Sequence, residues 1–160
     1  MQWPVVALLL KLSALASIDF YMTVFGLGLL VRFGGITGMP GVLQPFGHAG
    51  VMFLFGTLYL IEHIAEKIPG VAVAWNWVHA VIKPISVVLF VIVVTLDIGV
   101  GTLIVAVPFA LVITVILSLL DAKIWTFLGL IPVLPVFVTL VEDVVVFVLV
   151  MQSVAGLATS

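Results

Sequence analysis

The chain has 160 residues, 65% of them hydrophobic and 8% charged, with a net charge of −2 and no cysteine. A soluble domain averages about 25% charged residues and about half apolar ones, so this composition belongs to a lipid bilayer. Disulfide frameworks, thiolate chemistry and zinc–cysteine sites are excluded, and the lack of a basic tract argues against nucleic acid or a polybasic lipid anchor.

The opening MQWPVVALLLKLSALA ends in Ala14-Leu15-Ala16, which resembles a signal cleavage site. It has no basic n-region, and Lys11 sits inside the apolar stretch, so the segment is expected to be retained. The first apolar block covers about residues 5–31 and is closed by Arg32. It is interrupted by SIDFYMT (17–23), which sets Asp19 in the middle of an apolar wall. The block is either one kinked crossing or two short arms meeting at Asp19, giving five or six membrane segments overall. FGGITGMPGVLQPFGHAG (33–50) carries six glycines and two prolines and reads as a loop holding a solvated His48.

A second block, about 51–65, ends at EKIPG, where Pro69 and Gly70 stop a helix. VAVAWNWVHAVIK (71–83), with Trp75, Trp77 and His79, has the mixture expected of a connector in the headgroup zone. Residues 84–120 would measure about 55 Å as one helix, against a hydrocarbon core of about 30 Å. They must break, and LDIGVGT (96–102) is the place. DAKIWT (121–126) reads as a loop and 128–154 as the last block, with Pro108, Pro132 and Pro135 marking kinks. Lys67, Lys83 and Lys123 share one face, expected to be cytoplasmic.

SIDFYMT aligns with TLDIGVG, and LYLIEHIAE with VTLVEDVVV. The offsets are 78 from Asp19 to Asp97 and 80 from Glu62 to Glu142, half the chain. The chain is therefore expected to be one membrane domain of two pseudo-repeat halves, about 1–80 and 81–160. Paired broken helices in two halves point to a midplane site of the transporter kind.

At such breaks Asp19 and Asp97 can bind a cation or proton, or simply cap the following helix arm. Gly26 and Gly28, with Gly99 and Gly101, would allow close backbone approach around them. Glu62, His63 and Glu66 share a helical face and could hold a metal with Glu142 and Asp143; the plainer reading is a wetted helix end where Lys67 pairs with Glu62 or His63. Which metal, if any, is unknown at this point. Glu142 and Asp143 lie near mid-membrane, where a charge costs about 2.5–3.5 kcal/mol, so they ask for a partner, a proton or a cavity. Lys11 is a natural internal counter-charge, or else it snorkels outward.

YLIEHIAEKIPGVAVAWNWVHAVIKP resembles the central signature of a bacterial family of small integral membrane proteins of unknown function: Glu, an acidic-Lys-Ile-Pro-Gly turn, then Trp, His and a basic-Pro pair. SIDFYMTVFGLGLLVRFG resembles its opening segment and FVTLVEDVVV its closing helix. The resemblance carries over to Asp19, Tyr21, Glu62, Glu66, Lys67, Pro69, Trp75, His79, Lys83, Glu142 and Asp143. It departs at Glu66, where the family has Asp, and around Ala72 and Asn76, where the family is acidic. The resemblance implies a fold and no activity.

The expectation is an all-α integral membrane protein of five to six segments with broken or re-entrant helices, in a bacterial inner membrane. It would move an ion or small solute, with Asp19, Asp97, Glu62, Glu142 and Asp143 as a proton or cation site. Lys11, Tyr21, His63, Glu66, Lys67 and His79 would support that site. No nucleophile–base or HExxH-like spacing indicates an enzyme, and no cofactor is implied. The partners are the bilayer and a second copy of the chain. The alternative is a non-catalytic subunit or assembly factor of a larger membrane complex.

Overall fold

The computed structural model describes residues 3–34, 41–65, 67–68, 71–95, 99–128 and 134–158. Among them run six α-helices and one short 3-10 helix, with no strand. In chain order these are α1 (Trp3–Ile18), α2 (Phe20–Phe33), the 3-10 helix (Gly41–Gly47), α3 (Ala49–Ala65), α4 (Val71–Thr95), α5 (Val100–Leu128) and α6 (Leu134–Ala158). The first block is thus two helices hinged on Asp19. The 37-residue stretch is also divided: α4 stops at Thr95, α5 starts at Val100, and Asp97 lies outside the described residues.

Two helical segments, Gly101–Leu120 and Phe137–Gly156, are long and apolar enough to cross a membrane. A third span arises if the 3-10 helix and α3, bent by 64° at their junction, count together. Val6–Ile18, Phe20–Phe33 and Val81–Thr95 are apolar but shorter.

Several local expectations are corrected. Residues 71–83 are no connector; they form the first half of α4, where Val71, Val78, Val81 and Ile82 are exposed and the buried polar residue, His79, is accommodated against Glu62. DAKIWT is helical too, as the closing part of α5. Pro135 falls in the first turn of α6, where its missing N–H has no intrahelical partner to lose, so it starts the helix and does not kink it. Pro108 does lie inside α5, and Pro84 inside α4. Pro132 is outside the described residues.

α1 is the central helix, packed against α2, α4, α5 and α6. Leu9 and Leu12 are buried on it, and the surrounding helices present narrow buried stripes at helical spacing: Val87, Val91 and Val94 on α4, Ala106 and Ala110 on α5, and Val146, Val150 and Val154 on α6. The remaining faces of α5 and α6 expose Ile104, Val105, Phe109, Phe137, Val141 and Val144. The interior meanwhile holds hydroxyls. Ser13 donates to the Leu9 carbonyl and Thr95 to that of Val91, while Ser17 and Thr114 meet at 2.8 Å between α1 and α5. Apolar outside and hydroxyl-bearing inside is an arrangement stable in lipid and not in water.

Glycine closes one of these seams. A Cβ on Gly28 of α2 would stand 2.7 Å from the Phe46 carbonyl oxygen and 2.8 Å from Met52 Cγ, whereas Gly101 has open space around it among the described residues. Close approach therefore holds for Gly26 and Gly28 and not for Gly101. Gly99 is explained by its backbone, at φ +114°, which L side chains rarely adopt. Gly28→Ala should destabilise the detergent-solubilised protein by about 1–3 kcal/mol through overpacking. Gly101→Ala should leave its thermal midpoint unchanged or raise it, and equal midpoints for the two variants would refute this packing.

Candidate functional site

Asp19 leaves the helical conformation, at φ −132° and ψ 103°, and so separates α1 from α2. Its N–H still donates to Leu15 O, and its carbonyl accepts from both the N–H and the hydroxyl of Thr23. Its side chain caps α2, Oδ1 accepting from the Met22 N–H at 2.8 Å. On the other side of the break, the Lys83 ammonium of α4 donates to the Ile18 carbonyl at 2.6 Å. A carboxyl group thus sits at the positive end of α2 and an ammonium at the negative end of α1, each meeting a backbone group freed by the interruption.

Around this double cap α3, α4 and α6 deliver further polar side chains. His79 Nδ1 lies 2.9 Å from Glu62 Oε1, and the Tyr59 hydroxyl donates to Asp143 Oδ2 at 2.5 Å. His63 Nδ1 is 3.8 Å from the same Asp143 oxygen, beyond hydrogen-bond range but within that of an ion pair. Glu62, Asp143 and Lys83 are all close enough to Asp19 to act on it electrostatically. Asp19, His79 and Asp143 are only 9%, 8% and 6% exposed. The Tyr21 and Trp75 rings flank the His79 ring at 5.6 and 5.0 Å. A crevice beside the pair is lined by Tyr21, Glu62, His79, Lys83 and Ser86 among others. Two buried nitrogens on successive turns of α4, Trp75 Nε1 and His79 Nε2, have no hydrogen-bond partner among the described residues.

Of the residues expected from the sequence, Asp19, Tyr21, Glu62, His63, His79 and Asp143 come together here. Glu142, one position round α6 from Asp143, is half-buried. Lys67 lies outside the cluster, with its ammonium donating to the His63 carbonyl at the end of α3 and not to a side chain. Lys11 is exposed on α1, so it is not the internal counter-charge; that place belongs to Lys83. Asp97 and Glu66 lie outside the described residues. Among the described residues no three His, Asp or Glu side chains are grouped to hold a metal ion. The sequence reading missed Tyr59, although Tyr59, Glu62 and His63 stand at i, i+3 and i+4 on one helical face.

Residues 6–155 match the family described as a domain of unknown function, DUF4126. The chain belongs to this family. The match takes in every element of the site, so the cluster is part of the DUF4126 domain itself. No curated protein and no solved structure matches the chain.

The cap and the charge of Asp19 can be separated in this DUF4126 member. Asn caps a helix as well as Asp does and Ala does not, while both remove the charge. Asp19→Ala should therefore be less stable to thermal unfolding than Asp19→Asn by about 1 kcal/mol. Equal stabilities would mean that the side chain does not cap α2.

Proposed function

We propose that the protein is a small membrane transporter or channel-like protein, and that it moves an ion or small solute coupled to protonation of its buried carboxylates. The observation that carries this reading is three mostly buried acids from three separate parts of the chain, Asp19, Glu62 and Asp143, gathered with Lys83, His79 and Tyr59 at a helix break. Scaffolding would be served more cheaply by apolar packing, because buried ion pairs add little net stability. Ionisable groups held at a break in apolar helices are the usual material of ion and proton pathways.

In this reading α1 and α2 are half-length arms, giving five to six segments in all. Two homologous halves with Asp97 as counterpart of Asp19 belong to this reading, supported by the near-equal sequence offsets of 78 and 80 residues between the paired acids. The protein would sit in a bacterial inner membrane, and a second copy would supply the lipid-facing partner that so short a chain needs to enclose a pathway. Glu142 would extend the acid cluster towards the other side of α6.

The test is flux in proteoliposomes of the purified protein under an imposed pH gradient, with monovalent cations and small anions screened as cargo. Gradient-driven flux is expected for the wild type. It should be lost in Glu62→Gln and Asp143→Asn and strongly reduced in Asp19→Asn, which keeps the cap. Wild-type flux in all three variants would remove the site. Absence of any flux from the isolated protein, with stable co-purification of a larger partner, would favour the subunit reading.

A further inference from the structure

We propose that Nε2 of His79 takes up and releases a proton alongside the buried carboxylates of this cluster, with Glu62 as its positioning residue. The inference rests on the proton-coupled reading above and adds to it a specific acceptor that is not a carboxylate.

A carboxylate only accepts, so the 2.9 Å contact to Glu62 Oε1 puts the hydrogen on His79 Nδ1. In the neutral ring that leaves Nε2 as a bare lone pair, because the bond made by one nitrogen sets the state of the other. Nε2 is buried and has no hydrogen-bond partner among the described residues. Leaving such a group unmet is costly, and an apolar side chain on this face of α4 would avoid it. The other buried nitrogen without a partner, Trp75 Nε1, can only donate and cannot take a proton. Asp19, Asp143 and Glu62 each meet a donor, from Met22, Tyr59 and His79 in turn, whereas Nε2 meets none among the described residues, so His79 adds to the proton-exchanging acids and does not replace them.

The step balances simply. Hydronium gives its proton to the Nε2 lone pair and leaves as water, and the His79–Glu62 pair passes from a net charge of −1 to neutral. Release reverses it, with no other bond made or broken. The charged and titratable groups around the pair are Asp19 and Tyr21 at the α1–α2 break, Tyr59 and His63 on α3, Asp143 on α6, and Lys83 one turn along α4. The 3-10 helix has no titratable residue, and α5 has none between its start and Leu120. The crevice lined by Tyr21, Lys83 and Ser86 touches both members of the pair.

Nitrogen-15 NMR of histidine-labelled protein in lipid vesicles reads this directly, with the His79 signals assigned by their loss in His79→Asn. The expected result is the Nδ1–H tautomer with bare Nε2 in alkali and imidazolium in acid, with the Nδ1–H preference lost in Glu62→Gln. An Nε2–H tautomer, or an Nε2 signal unchanged across the pH range, overturns the proposal. His79→Asn gives the second arm, since its amide can still donate to Glu62 while nothing replaces Nε2. If it elutes and melts like the wild type, gradient-driven flux should be lost. Retained flux overturns the His79 assignment and leaves the transport reading standing. Titration of the wild-type ring with no flux from any preparation overturns the transport reading and leaves the assignment standing.

Discussion

The rest of this structure depends on how one interrupted helix is reconciled with an apolar surrounding. In hydrocarbon no water is at hand for a freed N–H or C=O, and each unmet group costs several kcal/mol. Between α1 and α2 the side chain of Asp19 meets Met22 N–H, and Lys83 reaches over from α4 to meet Ile18 O. The two groups suit the two dipole ends that face each other across the break. The interruption is thus stabilised only by bringing an acid and a base inside, and these bring more. Glu62 sits against His79 and Asp143 against Tyr59, so most of the inward charge has a polar partner. The break and the polar cluster are one arrangement, and neither is intelligible without the other.

That arrangement also explains the inverted texture of the molecule. α1 must be surrounded for Lys83 and Thr114 to reach it, and it packs on four other helices. The outer helices need only one small or β-branched stripe to seal against it, such as Ala106 and Ala110, and their other faces stay apolar for lipid. Hydroxyls that would be costly alone are tied to carbonyls one turn back, as Ser13, Thr23, Thr95 and Thr114 show.

Much of this was legible in the sequence where a single energetic term dominates. An aspartate inside SIDFYMT has to be a break or a site, and it is both a cap and a cluster member. A 37-residue apolar run cannot cross a bilayer as one helix, and α4 duly ends at Thr95. What was not legible depends on helix rotation, which packing decides. Lys11 and Lys83 look alike in sequence, yet one faces out and the other holds the break. The polarity of WNWVHAV points to an interface, but ring contacts with Tyr21 and Trp75 bury His79 within α4. Glycine spacing likewise could not tell Gly28, pressed on Phe46, from Gly101 in open space.

The central claim is that the acids around the Asp19 break exchange protons and are more than fixed helix caps. Infrared difference spectroscopy of the protein in vesicles, taken between mildly acidic and mildly alkaline pH, measures the carboxyl groups themselves. A carboxylic-acid stretch should appear on acidification and change in Asp19→Asn, Glu62→Gln or Asp143→Asn. A carboxyl spectrum that stays constant across that range, or changes identically in all three variants and the wild type, would contradict the claim.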